Sequence, residues 1–93
     1  MTSNIESIKQ FPSQAKIQTW ICNYVADLLE VDVSKIDVTI PFDRYGLDSS
    51  AAVGLAGDLE DYLEEELDPT LLYDYPTIES LTNHLVEELS DNS

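Results

Sequence analysis

The chain has 93 residues, room for one domain, and its 4 Lys and Arg against 19 Asp and Glu leave a formal charge of −15. That imbalance argues against nucleic acid, whose phosphates need cations to displace counterions, and against anionic membranes; partners recognised by charge should present basic surfaces. With 43% hydrophobic residues the acidity does not imply disorder.

Residues 1–12 have weak periodicity and read as a flexible leader. From there Ile17, Trp20, Ile21, Tyr24, Val25, Leu28 and Leu29 recur on one face of a 3.6-residue helix, with Ser13 as its N-cap. Residues 31–47 alternate apolar and polar side chains, but a lone strand would have no partner elsewhere in the chain. The spacing therefore predicts a long ordered loop pinned by Ile36, Ile40 and Phe42. A second helix is predicted from Asp48-Ser49, with Asp48 as N-cap and Ala52, Val53, Ala56, Leu59 and Leu63 on its buried face. Gly54 and Gly57 inside it each cost roughly 1 kcal/mol relative to alanine.

That helix ends before Pro69, and Thr70 to Asp74 leave room for a single turn. Pro76 then holds Tyr75 extended, and Thr77 caps a last helix with the stripe Ile78, Leu81, Leu85, Val86 and Leu89. The expected fold is all-α: a small antiparallel four-helix bundle, three main helices plus one short helix, with a long loop between helices 1 and 2. Its core should draw on Trp20, Leu28, Leu59 and Leu85. The domain is expected over residues 13–90, with residues 91–93 as a disordered tail.

One cysteine, Cys22, cannot form an internal disulfide, which favours a reducing compartment. The first residues lack the basic and apolar regions of a signal peptide, and no apolar run approaches the ~20 residues of a membrane span. A cytoplasmic monomer is expected. His84, the one histidine, sits at helical spacing from Leu81 and Leu85 and reads as a surface or boundary residue. No G-x-S-x-G elbow, H-E-x-x-H pair or glycine-rich phosphate loop occurs. The acids around Asp32 and Asp37 lack the glycine and terminal glutamate of a calcium loop, so neither a metal site nor an active site is expected.

One segment stands out, Phe42-Asp43-Arg44-Tyr45-Gly46-Leu47-Asp48-Ser49-Ser50. A serine that follows a glycine turn and opens a helix protrudes where unsatisfied amides favour a nearby anion, which suits a phosphate ester. Gly46 permits the bend, Leu47 would anchor it in the bundle, and Asp48 would cap the helix beside the hydroxyl. Taken alone, these residues fit an ordinary capped helix better than a modified serine.

Gly46-Leu47-Asp48-Ser49, followed at a distance by Leu71-Leu72-Tyr73-Asp74-Tyr75-Pro76-Thr77-Ile78, resembles the acyl carrier proteins, the second passage being most like the carriers of polyketide synthases. The resemblance covers about residues 14–89. It implies a carrier and not an enzyme, with Ser49 receiving 4′-phosphopantetheine from coenzyme A and Asp48, Gly46 and Leu47 shaping the attachment site. The arm would then hold acyl intermediates as thioesters for polyketide or fatty-acid-type biosynthesis. Implied partners are a phosphopantetheinyl transferase and ketosynthases, acyltransferases or other acyl-processing enzymes. Peptidyl carriers typically have histidine before the serine, where this chain has Asp48, so an acyl cargo is expected over an aminoacyl one.

There is one departure from the family pattern. Leucine usually follows the modified serine, and here Ser50 does, leaving two adjacent hydroxyls and an alternative reading as an unprimed acidic interaction module. Alignment of Gly-Leu-Asp-Ser places the arm on Ser49. Residues 48–68 carry Asp48, Asp58, Glu60, Asp61, Glu64, Glu65, Glu66 and Asp68 with no Lys or Arg, more than half of the −15. The expected partner surface is Ser50, Val53, Asp58, Glu60 and Asp61, which steers basic patches towards the serine.

Overall fold

Three side-chain caps open the first elements and the last. Ser13 Oγ accepts a hydrogen bond from the Lys16 amide and starts α1, Gln14–Leu29. The Asp48 carboxylate accepts from the Ala51 amide at 2.9 Å and starts α2, Ser49–Leu63. Thr77 and Ser80 cap α4, Ile78–Asp91, reciprocally: the Ser80 amide donates to Thr77 Oγ1 at 3.0 Å and the Thr77 amide to Ser80 Oγ at 3.2 Å. Between α2 and α4 lies the short α3, Leu71–Asp74. The structure, a computed structural model, describes residues 13–68 and 70–91. The predicted leader, the side chain of Leu89 and the tail past Asp91 lie outside the described residues.

Among the described residues the fold is all-α, four helices of which three are long, as expected. Ile17, Ile21 and Val25 of α1 meet Leu55, Leu59 and Leu63 of α2, Leu71 and Leu72 of α3, and Ile78, Leu81 and Leu85 of α4 in one apolar core. Each such side chain contributes about 1.5–3 kcal/mol by leaving water. Thr82 is fully buried among them, and its hydroxyl has no hydrogen-bond partner among the described residues.

Three expected core positions lie elsewhere. Val53 is 57% exposed, because it sits about 100° round the helix from Ala52, off the Leu55–Leu59–Leu63 stripe. Leu28 is 45% exposed, since it falls in the last turn of α1, past the last buried residue, Ala26. Trp20 is half-buried at the rim, stacked between Tyr24 of α1 and Tyr62 of α2 with ring centroids 5.3 and 5.0 Å away.

Neither α1 nor α2 ends on glycine. Glu30 and Glu64 take left-handed conformations with φ of 59° and 56°, and the following amides donate to Ala26 and Glu60 carbonyls. A residue with a Cβ pays about 1–2 kcal/mol for this geometry.

The connection from α1 to α2 is the predicted ordered loop, shaped by two single 3-10 turns, Val33–Lys35 and Phe42–Tyr45. Phe42 is buried, while Ile36 and Ile40 are half-buried. The loop is also stapled to the start of α4: the Phe42 amide donates to the Pro76 carbonyl at 2.7 Å and the Glu79 amide to the Val38 carbonyl at 3.0 Å. Pro41 and Thr77 form an isolated antiparallel bridge there. The bend before α2 is therefore referenced to α4 as well as to its own helix.

Candidate functional site

The 3-10 turn Phe42–Tyr45 closes on Gly46, whose amide donates to the Asp43 carbonyl at 3.0 Å. Gly46 has φ 82°, yet a Cβ built there would meet nothing within 4 Å. Backbone conformation, not space, is what requires glycine. Leu47 follows, half-buried and packed against the core, and the chain then emerges at Asp48. The Asp48 carboxylate faces the Ala51 amide and holds the first turn of α2.

Ser49 and Ser50, the first two residues of α2, are both exposed. They are not equivalent. Ser49 lines a groove of about 490 Å³ whose other walls include Phe42, Leu47, Ala52, Leu72 and Tyr73, and Ser50 does not. The groove runs between the start of α2 and α3, its surface mostly apolar, with Asp43 and Asp48 also in its lining. The exposed Ser49 hydroxyl at its edge is open to a reagent that would esterify it.

The expected partner surface divides. Ser50, Val53, Asp58 and Asp61 are exposed along α2. Glu60 is half-buried, and its carboxylate accepts the Leu67 amide at 2.7 Å, closing the turn after the helix. Asp58 bonds the Tyr24 hydroxyl; burial first, then this bond and the carboxylate's charge, push the Tyr24 pKa up to about 12. The hydroxyl also lies over Gly54, 3.5 Å from where a Cβ would stand. His84, expected at a boundary, is partly exposed, stacks on Tyr75 at 4.0 Å and pairs with Glu88 at 2.9 Å. Sequence reasoning missed Tyr73, a groove wall that is 65% exposed; its place between two buried leucine-bearing positions and Asp74 was the available signal.

This serine-bearing bend lies inside the region, residues 19–85, that matches the family described as "Phosphopantetheine attachment site". The chain belongs to that carrier family. It is 40% identical over 60 residues to the acyl carrier protein TtuC of Teredinibacter turnerae, covering 64% of this chain and 69% of that protein. It is 30% identical over 69 residues to polyketide synthase PksL of Bacillus subtilis, where it spans 74% of itself but only 2% of the synthase. Among solved structures, a free-standing peptidyl carrier protein of a secondary metabolic pathway in Acinetobacter baumannii superposes with TM-score 0.77 at 45% identity, over 83% of this chain and 96% of that one. The carrier is thus a substrate for other enzymes and not a catalyst, and it has an attachment site for phosphopantetheine. Its partners include, as for the family, a phosphopantetheinyl transferase and the enzymes that process the cargo. Among the described residues no helix is long and apolar enough to cross a membrane.

Proposed function

We propose that Ser49 is the attachment serine and that the carrier presents acyl groups, of the polyketide kind, on its arm. The observation that carries the site is the groove: Ser49 is on it and the adjacent Ser50 is not. Priming forms a bond between Ser49 Oγ and the phosphorus of the phosphopantetheinyl group and breaks the pyrophosphate bond of coenzyme A. The nucleotide leaves, and the hydroxyl proton passes to a base on the transferase. Once attached, the arm supplies a terminal thiol that carries the cargo as a thioester. The chain's own residues do the rest. Gly46 sets the bend, Leu47 anchors it, Asp48 orders the first helical turn, and the row from Asp48 to Asp68 draws basic partner surfaces to the serine. Tethering raises the cargo's effective concentration at each partner site.

The acyl reading is supported by Asp48 in the place where peptidyl carriers typically have histidine, and by the likeness to TtuC and PksL. The likeness to a peptidyl carrier makes an aminoacyl cargo the competing outcome. Incubation of apo protein with coenzyme A and a broad-specificity transferase should add one phosphopantetheinyl group to intact mass. Ser49→Ala should abolish the gain and Ser50→Ala should keep it; the reverse pattern overturns the site. Intact mass of the protein from its own host should show the arm with an acyl group. An aminoacyl group there would overturn the cargo, and only unmodified protein would favour the acidic interaction module that Ser50 leaves open.

A further inference from the structure

Besides its backbone bonds to α4, the loop before the serine is cross-linked within itself by one side-chain oxygen. The Tyr45 hydroxyl accepts the Asp37 amide at 2.6 Å and donates to the Asp37 carbonyl at 2.8 Å, so one group binds both polar ends of one residue eight positions earlier. Its ring is half-buried against the core, which fixes where the hydroxyl can reach. Asp37 is held from its other side: its carboxylate accepts the Thr39 amide at 2.9 Å and Thr39 Oγ1 at 2.7 Å. Those two bonds, the side-chain one first, hold the Asp37 carboxyl below its ordinary pKa. Val38, next in the chain, gives its carbonyl to the Glu79 amide of α4.

Tyr45 is also the last residue of the 3-10 turn that runs into Gly46, four positions before Ser49. Its hydroxyl therefore ties the turn that aims the serine to a segment that is itself bonded to α4. Without it, Gly46 still bends the chain, but the turn loses its side-chain link to the rest of the loop.

We infer that Tyr45 is a positioning residue for priming: it is not a wall of the groove at Ser49, and it keeps the bend in the one conformation that a transferase engages. The inference rests on Ser49, or its neighbour on the same bend, being the attachment serine. A partner that binds only one conformation sees its apparent affinity fall in proportion to that conformation's population. Loosening the clamp should thus raise KM for the carrier and leave kcat nearly alone, because bound complexes still contain a correctly placed serine.

Tyr45→Phe removes the oxygen and keeps the ring. With full-length apo protein, coenzyme A and a broad-specificity transferase, KM should rise about fivefold or more with kcat within about twofold of the parent. Hydrogen exchange at the Asp37 amide should be slow in the parent and fast in the variant. Ile21→Val, which lowers stability from inside the core, should leave KM unchanged at a temperature where both variants are folded; this separates positioning from loss of stability. Loss of Asp37 protection with unchanged KM, an equal rise of KM in Ile21→Val, or no protection of the amide in the parent would each overturn the inference. Should Tyr45→Phe not fold, Asp37→Pro decides, since proline has no amide to donate to the Tyr45 hydroxyl and Ile36 before it is already extended: KM should rise, and an unchanged KM is a refutation. Peptide mapping of the primed parent keeps the two readings apart. An arm on Ser50 contradicts the site proposal, while KM still measures the clamp.

Discussion

The face where α1, α2 and α4 meet and the segment from Glu30 to Asp48 are held by different forces. The first consists of side chains such as Ile17, Ile21, Leu59, Leu81 and Leu85 with no exposed surface. The second buries only Phe42 and depends on directed bonds: Asp32 to the Ser34 amide, Asp37 to Thr39, Tyr45 to Asp37, and two backbone bonds to the start of α4. Hydrophobic burial is non-directional and sets how stable the bundle is. Hydrogen bonds fix direction, and direction is what a serine offered to another enzyme needs. Stability and presentation should therefore be separable by mutation.

The largest expected effect breaks the first region. Leu85→Ala should cost about 2–5 kcal/mol by leaving a cavity, seen as a lowered urea midpoint. Wherever the variant remains folded, its priming kinetics should match the parent. A slowed transfer in the folded variant would show that the core, too, aims the serine. Gly46→Ala sharpens the contrast from the other side. Space is open around the added methyl, so the cost is the left-handed backbone, about 1–2 kcal/mol. Its transfer rate should fall well below that of a core variant of equal stability.

Much of this molecule is legible in its sequence where the signal is local. Ser13, Asp48 and Thr77 mark helix starts because each cap works within three residues of itself. The bend is legible at Gly46 for the same reason. What escapes depends on angle or distance. Val53 belongs to an apolar-looking run, and only its angle on α2 exposes it. Glu30 and Glu64 end helices without the glycine that usually announces such an end, so the local signal is missing. The staples from Val38 and Phe42 to α4 are backbone bonds, invisible to side-chain patterns. Ser49 and Ser50 are told apart in the sequence only by the resemblance of Gly46-Leu47-Asp48-Ser49 to the carrier pattern; the groove that Ser49 shares with Leu72 and Tyr73 of α3, and Ser50 does not, needs the fold.

Two substitutions should strengthen the bundle without touching presentation. Thr82→Val replaces a buried, unpaired hydroxyl with a methyl of similar shape and should stabilise by about 1 kcal/mol or more in denaturant titration. Gly57→Ala adds a methyl into open space inside α2 and should stabilise by about 1 kcal/mol. The smallest effect is a pH dependence. Tyr24 binds its proton more tightly when folded, with a pKa near 12 against an ordinary 10.0, so its contribution is complete below pH 10 and is lost as pH rises towards 12. Tyr24→Phe should flatten that alkaline decline in a melting series.

The claim beneath all of this is that the bend presents one hydroxyl of two. Cleavage of the primed protein after Arg44, the last Lys or Arg, leaves residues 45–93 as one peptide that contains both serines. Fragmentation of that peptide between the two should place the phosphopantetheinyl mass on Ser49 alone. The same mass on Ser50, or divided between them, would contradict it.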